Sequence, residues 1–262
     1  MGAMLRFELQ RARSVRITWV LMGVIAFLTV AAAMGSFFSI TNGPPEPGAD
    51  PVAAARDLAR IVTGTAPFIA VLQAVLGAQS LDHEYRYGTI RLTAQAFPHR
   101  TRLLLGKAQA VFLMVGGFTL AMYAAAVVLG AVVEGQLDDL GQAGLWRVVL
   151  FGAVVGGLWA VIGLGLRVVL GNVAVLAVLV ALVPLILENM VLLPLLGKAG
   201  LSDDTLDTIA PFLLSGSSFR AISWSAEEGP TPLVALVAFA AWAVLFLAVA
   251  NVLFTRRDIR PA

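Results

Sequence analysis

The 262-residue sequence contains no cysteine and only two histidines. Without cysteine there can be no disulfide, no thiolate metal ligand and no cysteine nucleophile. Both histidines, His83 and His99, lie in the same polar stretch. An H-E-x-x-H zinc pattern begins at His83, but Tyr87 stands where the second histidine would be. We therefore expect no metal site and no catalytic residues in this chain.

Charged residues are also scarce. They make up 13% of the chain, against about 25% in an average soluble domain, whereas apolar residues make up 59%. The mean hydropathy is +0.89, and a soluble domain of this length could not bury so much apolar surface in one core. The net charge of +2 gives no support for binding to nucleic acid. These values predict an all-α membrane protein in which residues 1–262 form a single transmembrane domain.

A nucleotide-binding loop is missing as well. Gly106-Lys107 and Gly197-Lys198 are each followed by alanine where the phosphate-binding motif requires serine or threonine, and the preceding glycine is absent. The chain cannot hydrolyse ATP by that route.

Six continuous apolar runs are present, each close to or above the roughly 20 residues that a helix needs to cross a bilayer. They are Ile17–Ile40, Ile61–Leu81, Ala108–Val133, Leu145–Leu166, Val173–Leu195 and Leu233–Phe254. Arg167 with Gly171-Asn172 predicts a tight turn between the fourth and fifth runs. The first run is longer than the apolar part of a typical signal peptide, so we expect it to be retained.

The distribution of basic residues predicts the orientation. Six spans place both termini on one side, and 13 of the 18 basic residues lie on that side. The other five are Arg56, Arg60, Arg147, Lys198 and Arg220. The positive-inside rule then places both termini and the loop Asp82–Lys107 in the cytoplasm, with the chain in the plasma membrane. Residues Ala3–Val15 precede the first span and read either as an amphipathic helix in the membrane interface or as a charged tail.

The loop between the second and third spans combines five basic residues with Tyr85, Tyr87 and a glycine. A break at Pro98-His99 predicts a short helix, a turn and a second helix at the membrane surface. Such a surface suits the docking of a soluble partner, although a loop that only sets the topology would have a similar composition.

An ordered set of residues in this loop resembles the signature of ATP-binding-cassette (ABC) exporter permeases of the type-2 class. The set comprises Glu84, Gly88-Thr89-Ile90, Pro98, Arg100 and Gly106-Lys107. The six spans, the amphipathic start, the partly apolar last outer loop and the terminal Arg256-Arg257-Asp258 agree loosely with the same family.

This resemblance implies a coupling helix between spans two and three that contacts a separate ATPase chain. The residues implied in that contact are Glu84, Tyr85, Arg86, Gly88, Thr89, Arg91, Pro98 and Arg100. It further implies two copies of the ATPase, which hold ATP and Mg, and a second permease subunit in a homodimer or heterodimer. The chain itself would carry no cofactor and no enzymatic activity. Its substrate would be amphiphilic: a lipid-like molecule, an antibiotic or a peptide.

Two other functional classes remain open at this point. An ATP-independent secondary transporter or channel should carry ionisable residues at mid-membrane, and an intramembrane enzyme should carry a catalytic base there. Glu188, with Asn189 beside it, and Gln73 are candidates for a polar site on a translocation route or a subunit interface, although Glu188 could instead extend to the outer surface. Gly152 and Gly156 have the G-x-x-x-G spacing that permits close helix packing, within one subunit or between two.

Overall fold

A computed structural model describes residues 6–8, 10–11, 14–40, 51–90, 93, 95, 99–135, 137–224 and 229–256. These residues form helices joined by turns, and no strand occurs among them. The predicted all-helical class is confirmed. The proline-rich turn at 41–50 lies outside the described residues.

Nine α-helices have their bounds within the described part of the chain, and the described residues 6–8, 10–11 and 14 are also helical. In chain order they are α1 (Arg16–Ile40), α2 (Pro51–Arg86), α3 (Arg100–Glu134), α4 (Ala143–Leu170), α5 (Val173–Leu182), α6 (Leu193–Lys198), α7 (Asp203–Ile209), α8 (Leu214–Ala221) and α9 (Pro232–Arg256). Short 3-10 helices at Leu137–Gly141 and Ala210–Phe212 precede α4 and α8, and a π-helix at Val183–Leu192 joins α5 to α6.

Five of these helices, α1 to α4 and α9, are long and apolar enough to cross a membrane. Each contains one of the predicted spans. Helices α2 and α3 extend well beyond the predicted apolar runs, since α2 begins at Pro51 and α3 at Arg100. An apolar run marks only the part of a helix that lies in hydrocarbon, and polar residues can continue the same helix outside it.

The predicted fifth span is not one straight helix. Helix α5 and the segment Ile186–Lys198 meet at an angle of 41°, and together they could form a sixth, broken span. The π-helix occupies the bend. Pro184, near its start, has no backbone N–H to donate to the preceding turn, and proline and π-helical turns are two established causes of kinks.

Helices α2 and α4 form the centre of the bundle, and α1 and α9 are much less buried. The backbones of α2 and α4 touch where glycine is present. A methyl group added at Gly77 would lie 1.8 Å from the carbonyl oxygen of Ala160, and one added at Gly163 would lie 1.9 Å from that of Ala74. Small residues of this kind allow helices to approach closely in a membrane, where dispersion forces drive their association.

The G-x-x-x-G glycines also pack inside the chain. A methyl group at Gly152 would lie 2.7 Å from the ring of Tyr123, and one at Gly156 would lie 2.5 Å from Nε2 of Gln73. Of the two arrangements that the sequence left open, these contacts show packing within one subunit.

The turn between α4 and α5 contains Gly171 and Asn172, as predicted. Gly171 adopts a left-handed conformation with φ of 72°, and the Asn172 side chain accepts hydrogen bonds from the backbone N–H groups of Ala174 and Val175. The inclusion of Arg167 in this turn was wrong, because α4 continues to Leu170 and Arg167 lies within its last turn.

The predicted apolar outer loop folds against the bundle. Arg147 of α4 donates to the carbonyl oxygens of Ser223 and Trp224, and the Trp242 indole N–H of α9 donates to the carbonyl oxygen of Phe212 at 3.0 Å. The Trp224 ring also lies against Gly144, where an added methyl group would be 3.0 Å away. The polar backbone of this segment is therefore partly satisfied by long helices of the bundle.

Candidate functional site

The connection from α2 to α3 begins with an exposed turn. Residues Tyr85 to Thr89 are all exposed, and the Tyr87 side chain has 70% of its surface accessible. Backbone hydrogen bonds from Tyr87 to His83 and from Gly88 to Tyr85 close the turn. Gly88 has φ of 68°, a left-handed conformation that side chains other than glycine rarely adopt. We call these five residues the exposed turn.

Glu84, directly before the exposed turn, points into the protein and is 1% exposed. One carboxylate oxygen, Oε1, accepts hydrogen bonds from Lys107 at 2.8 Å, Arg11 at 2.5 Å and Thr93 at 3.3 Å. The residue that sequence resemblance assigns to the partner surface is thus bound inside the chain. Its neighbours in the exposed turn, rather than Glu84, are presented to the outside.

Lys107 of α3 is completely buried. Its ammonium group lies 2.6 Å from the Glu8 carboxylate and 2.8 Å from that of Glu84, and Arg11 lies 3.6 Å from Glu8. Two carboxylates and two cations therefore form one neutral group. We call Glu8, Arg11, Glu84 and Lys107 the four-ion cluster. It joins the start of the chain, the end of α2 and the first third of α3.

A second ion pair lies on the other side of the exposed turn. Arg167, in the last turn of α4, donates from Nε to Asp82 at 2.8 Å. The guanidinium carbon of Arg167 also lies 5.3 Å from the centre of the Tyr85 ring, within the range of a cation–π contact. The end of α2 is therefore held by α4 as well as by the four-ion cluster.

Arg100, another predicted partner contact, bridges two helices. Its guanidinium donates to the carbonyl oxygens of Phe254 at 3.5 Å and Thr255 at 3.3 Å, in the last turn of α9. A cation at a helix C-terminus satisfies carbonyl groups that have no partner within the helix. The predicted contacts Arg91 and Pro98 lie outside the described residues.

Gln73 forms a hydrogen bond between helices. It is 2% exposed, and its Nε2 donates to Oγ1 of Thr119 on α3 at 3.0 Å. Gln73, a candidate for a polar site on a translocation route or a subunit interface, therefore bonds across helices within the chain.

Glu188 lies far from the exposed turn, in the π-helix, with Asn189 next to it. It is 8% exposed and does not extend freely to the surface. Its carboxylate accepts hydrogen bonds from the backbone N–H of Ser215, at 2.8 Å, and from the Ser215 hydroxyl. Because Ser215 lies in the first turn of α8, Glu188 caps that helix from another part of the chain.

Sequence reasoning missed the partners of Glu84. Glu8 and Arg11 lie within Ala3–Val15, which was interpreted as an amphipathic helix or a charged tail, and Lys107 was interpreted as part of a family motif. One signal was available: Glu8 is the only acidic residue before Glu46 and lies among arginines. Within the described residues, no three histidine or carboxylate side chains come together as metal ligands would.

No protein-family model matches this sequence, and no curated protein matches it significantly.

Proposed function

We propose that this chain is the membrane-spanning subunit of a type-2 ABC exporter. It would lie in the plasma membrane with six spans and both termini in the cytoplasm, and the exposed turn, as part of a coupling helix, would contact a separate ATPase subunit. The observation that carries this proposal is the exposed turn itself. It presents aromatic and charged side chains at the end of a central helix and rests on buried ion pairs.

The chemistry of the exposed turn suits a protein partner. Tyr85, Arg86 and Tyr87 are residue types enriched at the centres of protein interfaces. Gly88 has no side chain and leaves the backbone accessible for close approach. Most of the large aromatic side chain of Tyr87 is exposed to water, and its burial against a partner would be favourable.

The buried ion pairs next to the exposed turn connect it to several helices, which would allow a force on the turn to be transmitted to them. A push on the turn reaches α2 directly, α3 and the start of the chain through the four-ion cluster, and α4 through Asp82 and Arg167. A packed core and buried ion pairs change between discrete arrangements rather than deform continuously. ATP binding to a docked ATPase would thereby shift the spans between inward-open and outward-open states and move an amphiphilic substrate.

The remaining parts of the proposal rest on the resemblance stated above. ATP and Mg would be bound by two ATPase subunits, and a second permease subunit would complete a homodimer or heterodimer. An ATP-independent transporter has less support, because Glu188, its main candidate for an ion-coupling group, caps α8.

The proposal is tested by purifying the full chain from its native cells under mild detergent. Arg86→Glu reverses a charge in the exposed turn, and Arg60→Glu reverses an exposed charge at the opposite end of α2. We expect an ATPase subunit to co-purify with the wild type and with Arg60→Glu, and to be lost from Arg86→Glu.

Two results would contradict the proposal. One is a purified native assembly that contains no ATPase. The other is labelling of a single cysteine at position 87 by a membrane-impermeant maleimide in intact cells, since this would place the exposed turn outside. The absence of natural cysteines makes the second measurement unambiguous.

A further inference from the structure

Buried ion pairs join the start of the chain to the bundle. Among its described residues before α1, Glu8 bonds to Lys107 and Arg11 bonds to Glu84. Neither contact is local, because the partners lie 99 and 73 positions further along the chain. We call residues 6–15 the N-terminal segment.

Apolar packing beside these ion pairs is incomplete. A cavity lies between the N-terminal segment, the start of α1 and helices α2 and α3. Its lining includes Glu8, Arg11, Thr18, Leu76, His83 and Met114. The N-terminal segment is therefore not close-packed against the two helices at this point.

The charges of the four-ion cluster balance one another. Lys107 is fully buried between two carboxylates, and loss of either partner leaves a charge without compensation in a poorly solvated place. Glu84 in turn directly precedes the exposed turn. A change at Glu8 is thus transmitted through Lys107 and Glu84 to Tyr85, although Glu8 itself does not contact the turn.

We propose that Glu8 and Lys107 are positioning residues that hold the N-terminal segment and the exposed turn as one rigid unit. The functional significance of this inference rests on the proposed function, because there the exposed turn is the surface that contacts the ATPase. The N-terminal segment would then move with the docked ATPase rather than stay anchored in the membrane interface. Neither residue contacts the partner; both act through Glu84.

The test measures the distance between the two parts of this unit. Spin labels are attached to cysteines at Gln10 in the N-terminal segment and at Tyr87 in the exposed turn, two exposed positions in a chain without natural cysteine. Pulsed electron paramagnetic resonance on the full chain in lipid nanodiscs gives the distance distribution. A second label pair, at the exposed Leu137 just after α3 and the exposed Leu233 at the start of α9, reports on the rest of the bundle.

The wild-type background should give one narrow distance for the 10–87 pair. Glu8→Gln and Lys107→Met should each at least double the width of that distribution and leave the 137–233 pair unchanged. The double variant Glu8→Gln/Lys107→Met restores neutrality and keeps the Arg11–Glu84 pair, so it should recover a narrower distribution than either single variant. Asp57→Asn, which breaks the exposed pair with Arg60, is the matched control and should change neither distance.

The inference is overturned if both single variants keep the wild-type width, or if both label pairs broaden together, since the latter would indicate a general loss of fold. A double variant that is no narrower than the single variants would also overturn it. None of these measurements requires an ATPase. Failure of the proposed function would therefore be seen in the co-purification experiment, and failure of this inference in the distance measurement.

Discussion

The contact between α2 and α4 offers a direct test of the packing. Gly77→Ala adds one methyl group where α2 meets the backbone of α4. The new carbon would lie 1.8 Å from the carbonyl oxygen of Ala160, 2.5 Å from its carbonyl carbon and 2.8 Å from its Cα. All three atoms belong to the backbone of a helix, so they cannot rotate away as a side chain would.

The magnitude follows from the size of the clash. Ordinary contacts of a Cβ atom begin at 3.4 Å, so the helices must separate by well over 1 Å at this point. Overpacking a core typically lowers stability by about 1–3 kcal/mol. We expect about 3 kcal/mol at Gly77, because the neighbouring backbone is rigid. Alanine has a helix propensity more favourable than that of glycine by about 1 kcal/mol, so the net loss of stability is about 2 kcal/mol.

The assay is thermal unfolding of the purified chain in detergent, followed by the fraction that stays monodisperse. Gly117→Ala in α3 is the matched control, because an added methyl group there meets nothing within 4 Å. We expect a midpoint lower by on the order of 5 °C for Gly77→Ala and an unchanged or higher midpoint for Gly117→Ala. Equal midpoints for the two variants would refute the backbone contact between α2 and α4.

Two further predictions use the same assay. Glu188→Ala should lower the free energy of unfolding by about 1.5–3 kcal/mol, because the Ser215 N–H loses a charged acceptor. Glu188→Gln should lower it less, because the amide oxygen can still accept this hydrogen bond. Equal losses for the two variants would argue against the cap. Gln73→Leu should lower the free energy of unfolding by about 1–3 kcal/mol, because it leaves the Thr119 hydroxyl unpaired. The double variant Gln73→Leu/Thr119→Val should lose less stability than Gln73→Leu alone. If the double variant is the less stable of the two, Gln73 and Thr119 are not partners.

The spans were the most predictable part of the fold. A continuous apolar run such as Leu145–Leu166 has few alternatives to a membrane helix, because backbone groups in hydrocarbon must be satisfied within the segment. The start of α2 at Pro51 was also predictable, because Pro51–Arg60 reads as a short helical lead-in to the second span. The residues Pro51–Arg60 contain charges that the lipid would exclude but that helix geometry tolerates.

The four-ion cluster could not be derived from the sequence. Its members are separated by up to 99 positions, and its two cations also have a simpler explanation as topology signals. Glu188 illustrates the same difficulty. Its distance from the end of the apolar run favoured a carboxylate that extends to the surface, but the folding of α8 against the π-helix supplies Ser215 as a partner. Such pairings depend on tertiary contacts that no local pattern records.

The close approach of α2 and α4 has a mechanical consequence. Because backbone meets backbone at Gly77 and Gly163, no side chain lies between the two helices at these points that could re-pack and let one helix slide past the other. We therefore expect α2 and α4 to tilt together, as a single lever. With 36 residues in α2, that lever is about 54 Å long, so a rotation of a few degrees about its Arg86 end would displace the Pro51 end by several ångströms.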